Sequence, residues 1–229
     1  MPMRGQATYT QPEHDPRREA IIRQARRHFM SVGYAGTRIE PIAREANVST
    51  ATLYTYFAGK ADLFTAVIED ASADFVSQMA HVTSAPGEAR ERLARFAETY
   101  AAFMSDPFVR SVFRLVMAER PRFRSVALRF FELGRQNFGA ALMEVLDALC
   151  RSGELKLAKP SWAAGQLMGM IEHPVFFVPM VTGDEVKTRR SCSEIAADAV
   201  ETFLARYGIA GTSGPQTGPA PATVVADKA

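Results

Sequence analysis

Between residues 37 and 60 the chain concentrates short hydroxyl side chains and two phenols: Thr37 and Arg38, then Ser49, Thr50, Thr52 and Thr55, interleaved with Ala51, Tyr54, Tyr56 and Lys60. Threonine hydroxyls donate to or accept from base edges, and a threonine methyl packs on a thymine methyl; Ala51 offers the apolar part alone. The two phenols and a lysine ammonium suit phosphate oxygens, which fix register without reading sequence. Lys60 opens a helix, where its charge opposes the helix dipole. A phosphate at that terminus would account for it. Thr37 and Arg38 start an earlier helix and are placed to grip the other strand. Arg38 alone in this set has the fork for a bidentate base contact. The chemistry is contact with duplex nucleic acid, with modest base discrimination and a reliance on spacing and DNA shape.

Such side chains act only when helices present them, and the pattern is helical almost throughout. Asp15 and Pro16 read as N-cap and first helical residue. Ile21, Ile22, Ala25, Phe29 and Val32 share one face of a first helix over 16–32, and Gly33 can end it. The run Thr37-Arg38-Ile39-Glu40 reads as a capping box for a short second helix. Asn47 stands where a tight turn needs left-handed backbone. Ser49 caps a third helix anchored by Leu53, which ends near Phe57. Two short helices so closely spaced, after an amphipathic first one, form a helix-turn-helix unit. A rod over 60–82, free of Gly and Pro, joins this unit to the rest. Further helices are expected near 87–105, 107–119, 121–151, 160–173 and 189–207, with Pro at starts and Gly at ends. The expected fold is all-α: a disordered arm at 1–15, a helix-turn-helix domain at 16–64, a larger helical domain at 65–207 and a disordered tail at 208–229. That tail holds four Gly and three Pro and too little apolar surface to order itself. Short strands over 176–181 are the alternative, opposed by Pro174 and Pro179.

Other chemistries are excluded by what is missing. Cys150 and Cys192 make neither a disulfide framework nor a zinc site. His14, His28, His81 and His173 are scattered without ligand spacing, so no metal and no cofactor is expected. No nucleophile–base pair or phosphate loop appears, which argues against an enzyme. The N-terminus lacks an apolar signal core. No apolar run approaches the roughly 18–20 residues of a membrane span. A reduced cytoplasmic setting and no membrane partner are expected. The net charge is +2, but residues 1–64 hold nine Lys and Arg against six Asp and Glu, which places a polyanion partner at the front.

The stretch from Thr37 to Lys60, with Ile42-Ala43, Val48-Ser49, Thr52-Leu53-Tyr54, Tyr56-Phe57 and then Leu63-Phe64 at fixed offsets, resembles the DNA-binding domain of TetR/AcrR-type transcriptional repressors over about 16–66. It departs at Ala51 and Asn47, where many members have Gly. More weakly, the run from Val112 to Phe123 resembles the ligand domain of the AefR-like subgroup. The resemblance implies an all-helical homodimer whose front domains bind adjacent major grooves of a palindromic operator. It also implies a body that binds a small effector and thereby loosens DNA.

The body's Phe and Met residues fit an adaptable apolar pocket between helices. Its expected lining is Phe103, Phe113, Met117, Phe131, Asn137, Phe138, Gln166, Met170, His173 and Phe177. Family members pair their two C-terminal helices with those of a partner. Here the apolar stripes are Trp162, Leu167 and Ile171 on one helix and Ile195, Ala199 and Phe203 on the other. The competing readings are a dimeric DNA-binding protein without a ligand, and a redox-responsive regulator using Cys150 or Cys192.

Overall fold

The computed structural model describes residues 15–79 (backbone alone over 73–79), 86–186 and 188–209. The described residues are helices and turns with no strand, apart from one antiparallel bridge between Leu155 and Gly208. The arm at 1–14, the tail beyond 209 and the rod's end at 80–82 lie outside the described residues. The first two residues of the expected tail are tied down: Gly208 forms the bridge, and the Ile209 N–H donates to the Glu154 carbonyl at 3.1 Å.

The front unit follows its caps. Helix α1 spans Pro16–Gly36, with the Asp15 carboxylate accepting from the Arg17 N–H at 2.9 Å. Its regular course breaks at Gly33, where φ is 70° and ψ 179°, a conformation that suits glycine. Helix α2 spans Ile39–Glu45. The capping box does not form, because Arg38 occupies the N-cap without a side-chain bond. Thr37 instead donates its hydroxyl to the Gly33 carbonyl at 2.7 Å. The break at Gly33 leaves helix-end carbonyls without partners, and the nearest hydroxyl satisfies one of them. Asn47 takes the left-handed turn at φ 55°. Helix α3 spans Thr50–Tyr56, capped by the Ser49 hydroxyl, which accepts from the Thr52 N–H at 3.0 Å. Helix α4 spans Lys60–Met79. Ile21, Phe29, Ile42, Leu53, Phe57, Leu63 and Phe64 close one small core among these four helices.

The body is built from α5 (Ala89–Ser105), α6 (Pro107–Glu119), α7 (Arg124–Gly134), α8 (Ala140–Arg151), α9 (Pro160–Glu172), α10 (Val178–Thr182) and α11 (Cys192–Tyr207). The helix expected over 121–151 starts later, at Arg124, and carries a π turn at Arg135–Gly139. The stop expected at His173 does not occur either. Pro174 lies in a second π turn, His173–Phe177, which runs on into α10. A proline ring collides with the carbonyl four residues back in a regular helix; a widened turn relieves that collision and lets the chain stay helical. The 176–181 run is therefore helix rather than strand.

Helix α11 packs along α5 and α9. This corrects the expected partner face. Leu167, Ile171, Ile195, Ala199 and Phe203 are buried inside a single protomer, Phe203 at 1% exposure, while Trp162 is left at 68%. Two apolar faces on one helix pair do not require a second chain here, because α5 covers one of them.

Candidate functional site

The front unit presents Thr50, Ala51, Tyr54 and Thr55 on the outer face of α3, opposite the buried Leu53. Arg38 and Ser49 are exposed beside them. The Thr52 and Ser49 hydroxyls share a 2.9 Å hydrogen bond, and Thr55 donates to the Thr52 carbonyl at 2.6 Å. This pins the short helix while leaving lone pairs outward.

Three expected phosphate contacts have internal partners. The Thr37 side chain is 2% exposed. The Tyr56 hydroxyl donates to the Asp15 carboxylate at 2.5 Å, tying α3 to the start of α1. That bond, and then the Arg17 N–H, hold the Asp15 carboxyl below the usual carboxylate range. The tie is present at neutral pH and is lost only as pH falls through that lowered value. Lys60 donates to the Thr37 carbonyl at 2.8 Å and the Ala35 carbonyl at 3.4 Å, and lies 4.6 Å from the centre of the Tyr34 ring. The terminus of α1 supplies the negative partner that a phosphate was expected to supply. Lys60→Met is accordingly expected to lower the melting temperature of the DNA-free protein, by the loss of about 1–3 kcal/mol. An unchanged melting curve with a salt slope of DNA binding reduced by about 0.9 would return Lys60 to phosphate contact.

An aromatic joint connects this unit to the body. Phe123, in the turn before α7, stacks on Phe64 with ring centres 4.7 Å apart and meets the Tyr34 ring edge-on at 4.8 Å. The Arg122 guanidinium lies 5.0 Å from the Tyr34 ring centre. Nothing in the local sequence pattern distinguishes Phe123 from the other body aromatics.

The body encloses a cavity of about 790 Å³ between α5, α6, α7, α8 and α9, with Ser72 of α4 also in its wall. That volume lies in the range of small-molecule sites. Of the expected lining, Phe103, Phe113, Phe131, Asn137 and Phe138 are present. Met117 points outward at 61% exposure, and Gln166 accepts instead from the Tyr207 hydroxyl. Met170 lies beside Ile195 and Ala199, and His173 stacks on Phe177 away from the cavity. Tyr100, Met104, Phe130, Met143, Met168, Glu172 and Phe176 also lie in the wall, as do Arg135 and Gly165. Both π turns contribute to it, Asn137 and Phe138 from the first and Phe176 from the second. A π turn shifts the register of the helix face that follows, so straight-helix spacing misassigns His173 and Phe177, whereas Gln166 and Met170 lie in the regular part of α9 and face other neighbours. Cys150 and Cys192 are half-buried thiols, and Cys192 Sγ lies 3.8 Å from the Ala101 carbonyl. Among the described residues no cluster of metal-ligating side chains occurs, and no helix is long and apolar enough to cross a membrane.

Comparison with known proteins agrees with this architecture. Residues 21–67 match the family described as bacterial regulatory proteins, tetR family, and residues 91–209 match the AefR-like transcriptional repressor, C-terminal domain. The comparison with curated proteins returns no match. Among solved structures, a TetR-family regulator from Mesorhizobium loti MAFF303099 is 28% identical, with a TM-score of 0.72 over 86% of this chain and 100% of its own. The flavonoid-responsive regulator FrrA is 24% identical, with a TM-score of 0.67 over 85% of this chain and 98% of its own. FadR from Bacillus subtilis, solved with stearoyl-CoA, is 20% identical, with a TM-score of 0.62 over 81% of this chain and 97% of its own. The C-terminal match alone covers more than half of the sequence, and it follows a helix-turn-helix of the expected kind: the chain belongs to the TetR family of bacterial transcriptional regulators, with an AefR-like C-terminal domain.

Proposed function

We propose that this protein is a homodimeric repressor that holds a palindromic operator through α3 and releases it when an apolar effector fills the body cavity. The observation that carries this reading is the continuity between the two sites. Helix α4 contributes Ser72 to the cavity wall and Phe64 to the front core. Helix α7 contributes Phe130 and Phe131 to the wall and follows directly on Phe123, which packs on that core. An occupant of the cavity presses on both elements that fix the front unit. The binding of stearoyl-CoA by one fold neighbour and the flavonoid response of another support an apolar effector. The cavity itself favours this reading over a regulator without a ligand.

The partner face is relocated to the outer side of α9 and its continuation. Trp162, Gly165, Gly169, His173, Phe177 and Val181 are exposed at helical spacing. Glycine inside a helix costs about 0.5–1 kcal/mol relative to alanine. A Cβ at Gly165 or Gly169 would meet no atom of the described chain within 4 Å. Gly165 also borders the cavity, but packing within the protomer gives no reason for Gly169, whereas close approach of a second copy does.

Selection of duplex DNA from a random pool by the full-length protein tests the operator reading. The expected consensus is two-fold symmetric, with half-sites about one helical turn apart or a multiple of it. An asymmetric consensus, or none, would contradict it.

A further inference from the structure

The cavity wall is mainly apolar, and the polar side chains set into it include Asn137, Gln136 and Ser161 besides Tyr100, Arg135 and Glu172. Its ionisable side chains with a formal charge at neutral pH are Arg135 and Glu172. Arg135 lies on the exposed side and is bound by two hydrogen bonds to Glu132, at 2.5 and 2.9 Å, so its charge is already matched. Glu172, at the end of α9, has no cation within ion-pairing distance among the described residues. Its Oε1 accepts a short hydrogen bond from the Tyr100 hydroxyl.

Tyr100 is fixed for that task. It is 3% exposed, and its ring stacks on Phe96 at 5.7 Å and meets Phe138 edge-on at 5.3 Å. Burial first, and the Glu172 charge second, push its pKa far above the ordinary tyrosine value, so the phenol stays a donor. One carboxylate oxygen is thus committed, and the acceptor capacity of the other remains. A half-buried carboxylate facing an apolar cavity is satisfied by a donor and opposed by an anion.

We infer that the effector is an apolar molecule carrying a hydroxyl, phenol or ammonium donor, that Glu172 accepts this donor, and that free carboxylates are rejected by the same residue. This rests on the effector reading of the cavity and adds its chemical selectivity. The donor end sits at the buried Tyr100 side, and the apolar remainder runs toward Phe131, which at 68% exposure marks the mouth. Tyr100 acts as a positioning residue that aims the carboxylate.

Three probes of matched shape test this: 4-butylphenol, butylbenzene and 4-butylbenzoate, titrated into the full-length protein by calorimetry at neutral pH. A hydrogen bond to a charged group corresponds to roughly ten- to hundredfold in affinity. The phenol is expected to bind tighter than butylbenzene by about that factor, and the benzoate no tighter than butylbenzene. In Glu172→Gln the phenol's advantage over butylbenzene should fall about tenfold or more, butylbenzene should bind as before, and the benzoate should gain. A benzoate that matches the phenol in the wild-type protein overturns the inference, as does a variant in which all three affinities fall together. If Glu172→Gln does not fold, the wild-type ranking decides alone. Failure of all three probes to bind the wild-type protein removes the effector reading of the cavity itself, an outcome separable from loss of selectivity.

Discussion

Replacing Gly169 by Leu is expected to give a folded, helical protomer that no longer dimerises and that binds its operator about 10²–10⁴-fold more weakly. The position is mid-helix on the outer face of α9, and a Cβ there has open space around it within the described chain. Leucine is also the better helix former, by nearly 1 kcal/mol. The protomer therefore has no internal reason to lose structure. A second copy that approaches at this glycine meets four added carbons and is pushed away. The loss of operator affinity follows from losing the second half-site as an intramolecular partner. Sedimentation equilibrium and circular dichroism check both halves. A stable Gly169→Leu dimer would place the interface elsewhere. Phe203→Asp is the control with a different cause. At 1% exposure Phe203 is core, so a carboxylate there should unfold the protomer rather than separate two folded ones.

Phe123→Ala should separate effector binding from DNA release. Phe123 bridges the turn before α7 to Phe64 and Tyr34 of the front unit. It is half-buried and lines no part of the cavity. Its loss should leave effector affinity near wild type while the ratio of operator affinities without and with effector falls toward one. A wild-type coupling of about 1–3 kcal/mol corresponds to a ratio of about 5–150, so the change is large. Fluorescence anisotropy on labelled operator measures it. An unchanged ratio would assign the coupling to α4, which reaches the cavity through Ser72 independently of the joint.

The local elements of the front unit are legible in the sequence because each has a short-range cause. Asp15, Gly33, Asn47 and Ser49 take the caps, break and turn that their chemistry dictates. Thr37 is misread from sequence because its hydroxyl answers to the end of α1 rather than the start of α2, a choice set by the break at Gly33. The carbonyl partners of Lys60 are not visible in the sequence for a related reason: they lie more than twenty residues upstream, and spacing along one helix does not show them. In the body, apolar periodicity finds the buried faces of α9 and α11 but not what covers them; α5 does. Phe103, Phe113 and Phe138 reach the cavity as their spacing suggests, whereas the fold does not bring Met117, Gln166, Met170, His173 or Phe177 to it. The second π turn rotates the face beyond Glu172, and its register depends on how Pro174 is accommodated.

Filling the cavity is expected to release DNA. Titration of labelled operator with the wild-type protein, in the absence and presence of saturating 4-butylphenol, tests it most directly. Operator affinity is expected to fall about 5–150-fold, and saturating operator should weaken phenol binding by the same factor, as linkage requires. Operator affinity that stays unchanged while calorimetry shows the phenol bound would contradict the account.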